Sequence, residues 1–380
     1  MTKTFVLAPD SFKESMSAEQ ACMAMQRGIL RAMPDAECIH VPMADGGEGT
    51  VDALIAALQG RRVECEVTGP LPAQKIQTYF GLIDEGKTAV IEMAKASGIH
   101  LLSMEQRNPL LTSTFGTGEM IAQALDLGVS KIILGLGGSV TNDGGAGMAH
   151  ALGAKFYDAA GNAVQGCGGQ LGRIRKIDLS ALEPRLKSAE ILIASDVNNP
   201  LCGANGASAV FGPQKGADAK MVEILEQNLS HFADAAEAAA GRSCRNIAGA
   251  GAAGGLGFGL MAFAGAKIQS GVELVIAQCR LAEKIAQADY VFTGEGKIDF
   301  QTKFGKTPFG VAQAAAKLNK PVIAFAGLVG EGIEELYALG FTRIIGINPP
   351  GCVLQDALNN AEMHLEDAAA ALMQNLAEHD

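Results

Sequence analysis

Residues 132–148 read I-I-L-G-L-G-G-S-V-T-N-D-G-G-A-G-M. An apolar run stops at Gly135, a loop of glycines and small hydroxyls follows, and a helical pattern begins after Asn142-Asp143. A buried strand that turns through glycines into a helix is a joint of α/β proteins. Glycines let backbone N–H groups approach a ligand closely. The helix N-terminus beyond adds a positive dipole end suited to an anion. Asp143 sits among those donors, and a carboxylate beside an anion site suggests a metal ion between them. Phosphate plus metal is therefore the first expectation, with Gly135, Gly137, Gly138, Ser139, Gly144 and Gly145 as its phosphate-facing positions.

The rest of the chain bounds that expectation. A length of 380 residues favours two domains. The 47 glycines have no collagen period and cluster at the ends of apolar runs. A net charge of −11 argues against a nucleic-acid partner. The eight cysteines include no C-x-x-C pair, so buried reduced thiols in a cytoplasmic protein are expected. The six histidines include no H-x-x-x-H, which disfavours a histidine metal site. The N-terminus opens directly into a strand over residues 4–8, with no signal-peptide pattern. Residues 247–266 carry no charge, but seven of those 20 are glycine, so a packed turn and buried helix are expected rather than a membrane span.

Residues 1–60 alternate strand and helix. Ser17 with Gln20 reads as a capping box opening a helix whose apolar face is Ala18, Cys22, Met25, Ile29 and Met33. After Arg61 the stretches 63–68, 76–83 and 88–93 read as strands without intervening helices, hence an antiparallel portion. From Asp289 the alternation returns, with strands at 290–293, 322–326 and 344–347 and a last helix over about 356–376. The expected fold class is α/β: a Rossmann-like, doubly wound parallel-sheet domain plus a second, inserted α/β domain with mixed and antiparallel strands, the active site lying in the interdomain cleft. The Rossmann-like domain is expected from residues 1–65 and 285–380, with about 112–150 joining it. Residues 66–111 and 151–284 would form the insert. Asp45-Gly-Gly-Glu-Gly echoes Asp143-Gly-Gly-Ala-Gly, which suggests two similar turns.

Several loops carry charges suited to chemistry. A literal G-x-G-x-x-G at Gly249, Gly251 and Gly254 lacks both a convincing preceding strand and the acidic residue of a dinucleotide fingerprint. It is kept as a phosphate or adenine loop. Gly305-Lys306-Thr307 resembles the end of a Walker A loop, but Phe300 stands where its first glycine belongs. The surrounding loop still holds Glu295, Lys297, Asp299, Lys303 and Lys306 after a strand, a mixture suited to phosphates and Mg²⁺. Asp10, Ser11 and Lys13 follow the first strand. Asp196 follows the strand at 191–194, where a carboxylate could take a proton from a substrate hydroxyl. Lys215 lies in a tight turn. No G-x-S-x-G elbow is present, so a hydrolase triad is disfavoured.

Taken in order, nine segments resemble the type I glycerate kinase family. They are A-P-D-S-F-K from Ala8, P-M-A-D-G-G-E-G-T from Pro42, V-T-G-P from Val67 and T-S-T-F-G-T-G-E from Thr112. L-G-G-S-V-T-N-D-G-G-A-G-M from Leu136, S-D-V-N-N-P-L from Ser195 and V-F-G-P-Q-K-G-A from Val210 follow, then G-A-G-A-A-G-G from Gly249 and T-G-E-G-K-I-D-F-Q-T-K-F-G-K from Thr293. Glu14 and Met16 are small departures. The resemblance implies an ATP- and Mg²⁺-dependent cytoplasmic kinase acting on D-glycerate, commonly at the 2-hydroxyl, with a 3-phosphate product as the alternative.

On that footing Asp196 is the expected base, with Asp10 second. Asp45, Asp143 and Glu295 are the expected Mg²⁺ carboxylates. Glycine loops 135–138, 143–147 and 249–255 would cradle phosphates. Lys13, Lys215, Lys297 and Lys306 would offset phosphate or glycerate charge. No membrane partner is expected, and a homodimer is left open. A nicotinamide-dependent hydroxy-acid oxidoreductase and a non-catalytic two-lobed binding protein are the rival readings.

Overall fold

The computed structural model describes residues 2–377. The opening strands are β1 (Thr4–Leu7) and β2 (Glu37–His40). Next come β3 (Arg61–Thr68), β4 (Lys75–Ile83), β5 (Thr88–Glu92) and β6 (Lys131–Gly135). The short β7 (Lys155–Tyr157) and β8 (Lys176–Asp178) precede β9 (Glu190–Ala194) and β10 (Lys267–Gln269). The last are β11 (Tyr290–Ile298), β12 (Val322–Val329) and β13 (Arg343–Gly346). The chain separates into two compact units. Residues 2–45, 52–59 and 270–377 form the first, and 46–51 with 60–269 the second.

The first unit is built on a five-stranded sheet of order β13-β12-β11-β1-β2, every neighbouring pair parallel. Helices cover such a sheet on both faces, so its strands read as continuous apolar runs. Phe5, Val6 and Leu7 are accordingly all buried. Phe292 touches Phe5 and Phe325 edge-on, at centroid distances of 5.4 and 5.3 Å. The order reverses direction between β1 and β11, which makes their carboxyl ends the switch point where doubly wound sheets bind ligands.

The helix Ala18–Ala32 begins with the expected capping box: Gln20 N–H donates to Ser17 Oγ at 3.1 Å, and Ser17 N–H to Gln20 Oε1 at 2.8 Å. It packs on the helix Ala361–Ala377 with Gly28 at the crossing. Exposed pairs from Arg27 and Arg31 to Glu362, Glu366 and Asp367 flank that contact and add little each. The single terminal helix expected over about 356–376 is instead two, Leu354–Asn359 and Ala361–Ala377.

The second unit holds a six-stranded sheet of order β10-β9-β6-β5-β4-β3. Strands β10, β9, β6 and β5 run parallel, and the β3–β4 hairpin adds its antiparallel edge. A small β7–β8 pair lies apart. Residues 112–150, expected with the Rossmann-like domain, belong here, because β6 pairs with both β5 and β9. The boundary at 65 likewise falls inside β3. Local alternation of helix and strand does not tell which sheet a strand joins. The uncharged stretch 247–266 contains the buried helix Ala252–Ala264, with left-handed backbone at Ala253, Gly254 and Gly255. No helix among the described residues is long and apolar enough to cross a membrane.

Gly28 tests the packing of the first unit. A Cβ there would lie 2.3 Å from Glu366 O and 2.7 Å from Ala369 Cβ, so the helices must part. Overpacking costs about 1–3 kcal/mol, against a helix-propensity gain of about 1 kcal/mol for alanine. Gly28→Ala should therefore lower the midpoint of chemical denaturation; an unchanged or raised midpoint would show that the helices can give way.

Candidate active site

Gly135 and Gly137 pack closely against neighbouring backbone. Glu92, Gly135 and Ala194 are register partners at the carboxyl ends of β5, β6 and β9. Backbone of residues 46 and 47 crosses directly over them. A Cβ on Gly135 would lie 2.5 Å from Gly46 O, and one on Gly137 2.9 Å from Gly47 Cα. A Cβ on Gly46 would meet Ala194 O at 2.9 Å. Glu92 then accepts the Val51 N–H at 2.8 Å and lies 3.7 Å from the Lys95 ammonium. Gly137 and Gly138 are exposed, while the Ser139 side chain is buried.

The two D-G-G-x-G turns differ in conformation: Gly46 and Gly49 have positive φ in the first, Gly144 and Gly145 in the second. Asp143 is fully buried. Its Oδ2 accepts from Thr114 N–H and Thr114 Oγ1, both at 2.8 Å, and from Gly147 N–H at 3.2 Å. Its Oδ1 accepts from Gly145 N–H at 3.1 Å. Burial pushes its pKa up while these donors pull it down. The structure thus gives Asp143 a turn to hold, where metal ligation was expected.

Two of the N–H groups expected to cradle phosphate are engaged elsewhere. Gly144 N–H donates to Gly254 O at 3.0 Å, and Gly251 N–H to Asn199 O at 2.9 Å. A Cβ on Gly251 would lie 2.3 Å from Pro200 O, and one on Gly254 2.0 Å from Thr141 O. Lys215 is also buried, its Nζ donating to Thr141 O at 2.7 Å. Burial lowers its pKa to about 7, with Asp143 opposing. It cannot reach a solvent-borne phosphate from that position. Asp196, by contrast, is exposed, two residues past the end of β9.

The first unit gathers charge at its switch point. Past β1 the chain stays bonded along β11, with Ala8 N–H to Phe292 O and Asp10 N–H to Gly294 O at 2.7 and 2.9 Å. This sets Asp10 near Glu295. Asp10 accepts from Ser11 N–H at 2.6 Å and from the Thr307 hydroxyl. Its pKa is pushed up to about 7, first by burial and then by the charge of Asp45. Glu295 is also raised to about 7, by burial, although Lys306 draws it down and Asp10 adds to the rise.

Lys306 Nζ lies 3.2 Å from Glu295 Oε2 and precedes the helix Thr307–Ala316. Lys297 pairs with Asp299 at 2.8 Å, and Lys13 is exposed. Thr307 entered the sequence reading only as the end of the Walker-like triplet, and its partner lies 297 residues away. Among the described residues no three histidine, cysteine or acidic side chains form a ready metal cluster. Mg²⁺ needs fewer protein ligands, because one or two carboxylates plus substrate phosphates suffice. Hard oxygen donors whose pKa is raised chiefly by burial, with like charge beside them, fit that ion.

The model of the glycerate kinase family matches residues 5–377. A glycerate kinase of Haemophilus influenzae is 49% identical over 98% of both chains. A glycerate 2-kinase of Escherichia coli is 48% identical over 94% of this chain and 93% of its own. A crystal structure assigned to glycerate kinase 2 of Salmonella typhimurium superposes with a TM-score of 0.91 at 45% identity, covering 100% of this chain and 99% of that one. With a family model spanning the fold and relatives near half identity over almost their whole length, the chain belongs to the glycerate kinase family.

Proposed function

We propose that this protein transfers the γ-phosphoryl group of ATP to the 2-hydroxyl of D-glycerate, giving 2-phospho-D-glycerate and ADP. The observation that carries this reading is the acidic switch point of a chain in the glycerate kinase family: Asp10 and Glu295, both raised to about 7, with Asp45 acting on Asp10. The 2-position is supported by the likeness to the Escherichia coli relative named a glycerate 2-kinase. A cytoplasmic setting fits eight free cysteines.

Asp10 with Glu295 or Asp45 would hold Mg²⁺, with substrate phosphates as the other ligands. Bound there, the ion would supply positive charge to offset that of the phosphates. Thr307 fixes the Asp10 carboxylate by its hydrogen bond. Lys306, already on Glu295, and the exposed Lys13 and Lys297 offset phosphate or carboxylate charge. Asp196 accepts the proton of the 2-hydroxyl as that oxygen bonds to phosphorus and the bond to ADP breaks. Catalysis of this kind is positioning and charge neutralisation above all. Asp143 and Lys215 act as buried structural groups.

Product analysis by phosphorus NMR after incubation with ATP, Mg²⁺ and D-glycerate should give the 2-phosphate; the 3-phosphate would overturn the regiochemistry alone, and no phosphoglycerate the whole reading. Asp196→Asn should lower turnover by roughly 10²–10⁴-fold, and near-normal turnover would remove it as the base.

Mg²⁺ binding needs ionised carboxylates. Since Asp10 and Glu295 gain protons below about pH 7, the Mg²⁺ concentration for half-maximal activity should rise as pH falls from about 8 to about 6. Asp10→Asn should raise it by roughly tenfold or more at high pH and weaken that pH dependence. Asp143→Asn should instead cost about 1–3 kcal/mol of stability by presenting a donor to donors, with the Mg²⁺ requirement unmoved.

A further inference from the structure

Two segments have no task in the reaction so far: the strand end at Thr68-Gly69 and the stretch Thr112–Phe115 that begins the helix Phe115–Asp126. They meet at a pocket of about 170 Å³ inside the second unit, whose walls include Gly69, Pro72, Ser113, Phe115, His150 and Gln165. Close backbone packing builds it. A Cβ on Gly116 would lie 1.8 Å from Thr68 O, and one on Gly147 2.1 Å from Ser113 Oγ. The Asp143 turn therefore stands directly behind the Ser113 wall.

The lining decides the class of ligand. Among the described residues that form it none is aspartate, glutamate, lysine or arginine. Burial lowers the His150 pKa, which favours its neutral ring. A phosphate or the glycerate carboxylate would find no countercharge there. The rings of Phe115 and His150 stand at 90° with centroids 5.6 Å apart, a corner that offers a flat heterocycle one face and one edge. Ser113 donates to Gly166 O at 2.7 Å, which leaves its oxygen as a fixed acceptor. The Gln165 amide supplies a donor and an acceptor beside it. The volume lies below the roughly 300–1,000 Å³ that encloses a drug-sized ligand, so it suits one ring system and not a whole nucleotide.

We propose that this pocket seats the purine base of the phosphoryl donor, so that adenine is held by the second unit through Phe115, His150, Ser113 and Gln165. The assignment rests on ATP being the donor. His150→Ala, which removes the edge wall, and Gln165→Trp, which blocks the mouth from an exposed position, are the test variants. Each should raise the KM for ATP about five- to tenfold, as the loss of a stacking contact does, while the KM for glycerate stays within about twofold.

Saturation-transfer NMR with adenosine, which has no phosphate, should show contact with the wild-type protein and lose it in Gln165→Trp. Unchanged KM values for ATP with adenosine contact retained in Gln165→Trp would overturn the proposal, as would variants that weaken glycerate instead. If the wild type made no phosphoglycerate from ATP, the kinase reading would fall, and the adenosine contact would still decide the pocket.

Discussion

The Asp143 carboxylate does its work by accepting hydrogen bonds from two stretches of chain at once. From one side come the amides of Gly145 and Gly147, which close its own turn. From the other comes Thr114, through amide and hydroxyl, and that hydroxyl oxygen in turn accepts the Met148 amide. A carboxyl group so deeply buried is stable only when so surrounded. The helices starting at Phe115 and at Ala146 are thereby tied together at their first turns. Ser113, one residue away, is set by the same arrangement.

Carboxylates play the opposite part in the first unit. Asp10 and Glu295 are largely buried and close to each other, with Asp45 acting on Asp10; Ser11 and Thr307 donate to Asp10, and Thr302 and Lys306 to Glu295. A site that raises its own carboxylates to neutrality is poorly matched to itself and well matched to a divalent cation. The parallel order of the sheet places that mismatch where ligands enter such folds. Acidic groups in one chain thus sit in different settings: Asp143 among hydrogen-bond donors, and Asp10 and Glu295 beside like charge.

Much of this was legible in the residues. The capping box at Ser17, the alternation at both chain ends and the charged loops after β1 and β11 all follow from local pattern. The glycines read ambiguously for a definite reason. A glycine chosen to bring an amide to a ligand and one chosen to let two backbones touch look the same in sequence. Only the crossing of residues 46–47 over Gly135 and Gly137 separates them. Sheet membership of β6 and the Thr307–Asp10 bond were hidden because each depends on pairing between distant segments. The base pocket was hidden likewise, since Phe115 and His150 come together only through folding.

The pairing of β1 with β11 has a bearing on how the chain is made. Phe5 finds its partner Tyr290 only after 285 further residues exist. At about 5–20 residues per second, the ribosome leaves β1 waiting roughly 15–60 s beside its own helix and β2. The six-stranded sheet of the second unit needs nothing beyond residue 269 and completes itself during that wait. Through all of it the apolar edge of β1, Phe5 to Leu7, has no strand to cover the side that β11 will take. Synthesis of this protein is therefore a period of exposure that ends only when its last third emerges, and slow or truncated translation would extend that exposure.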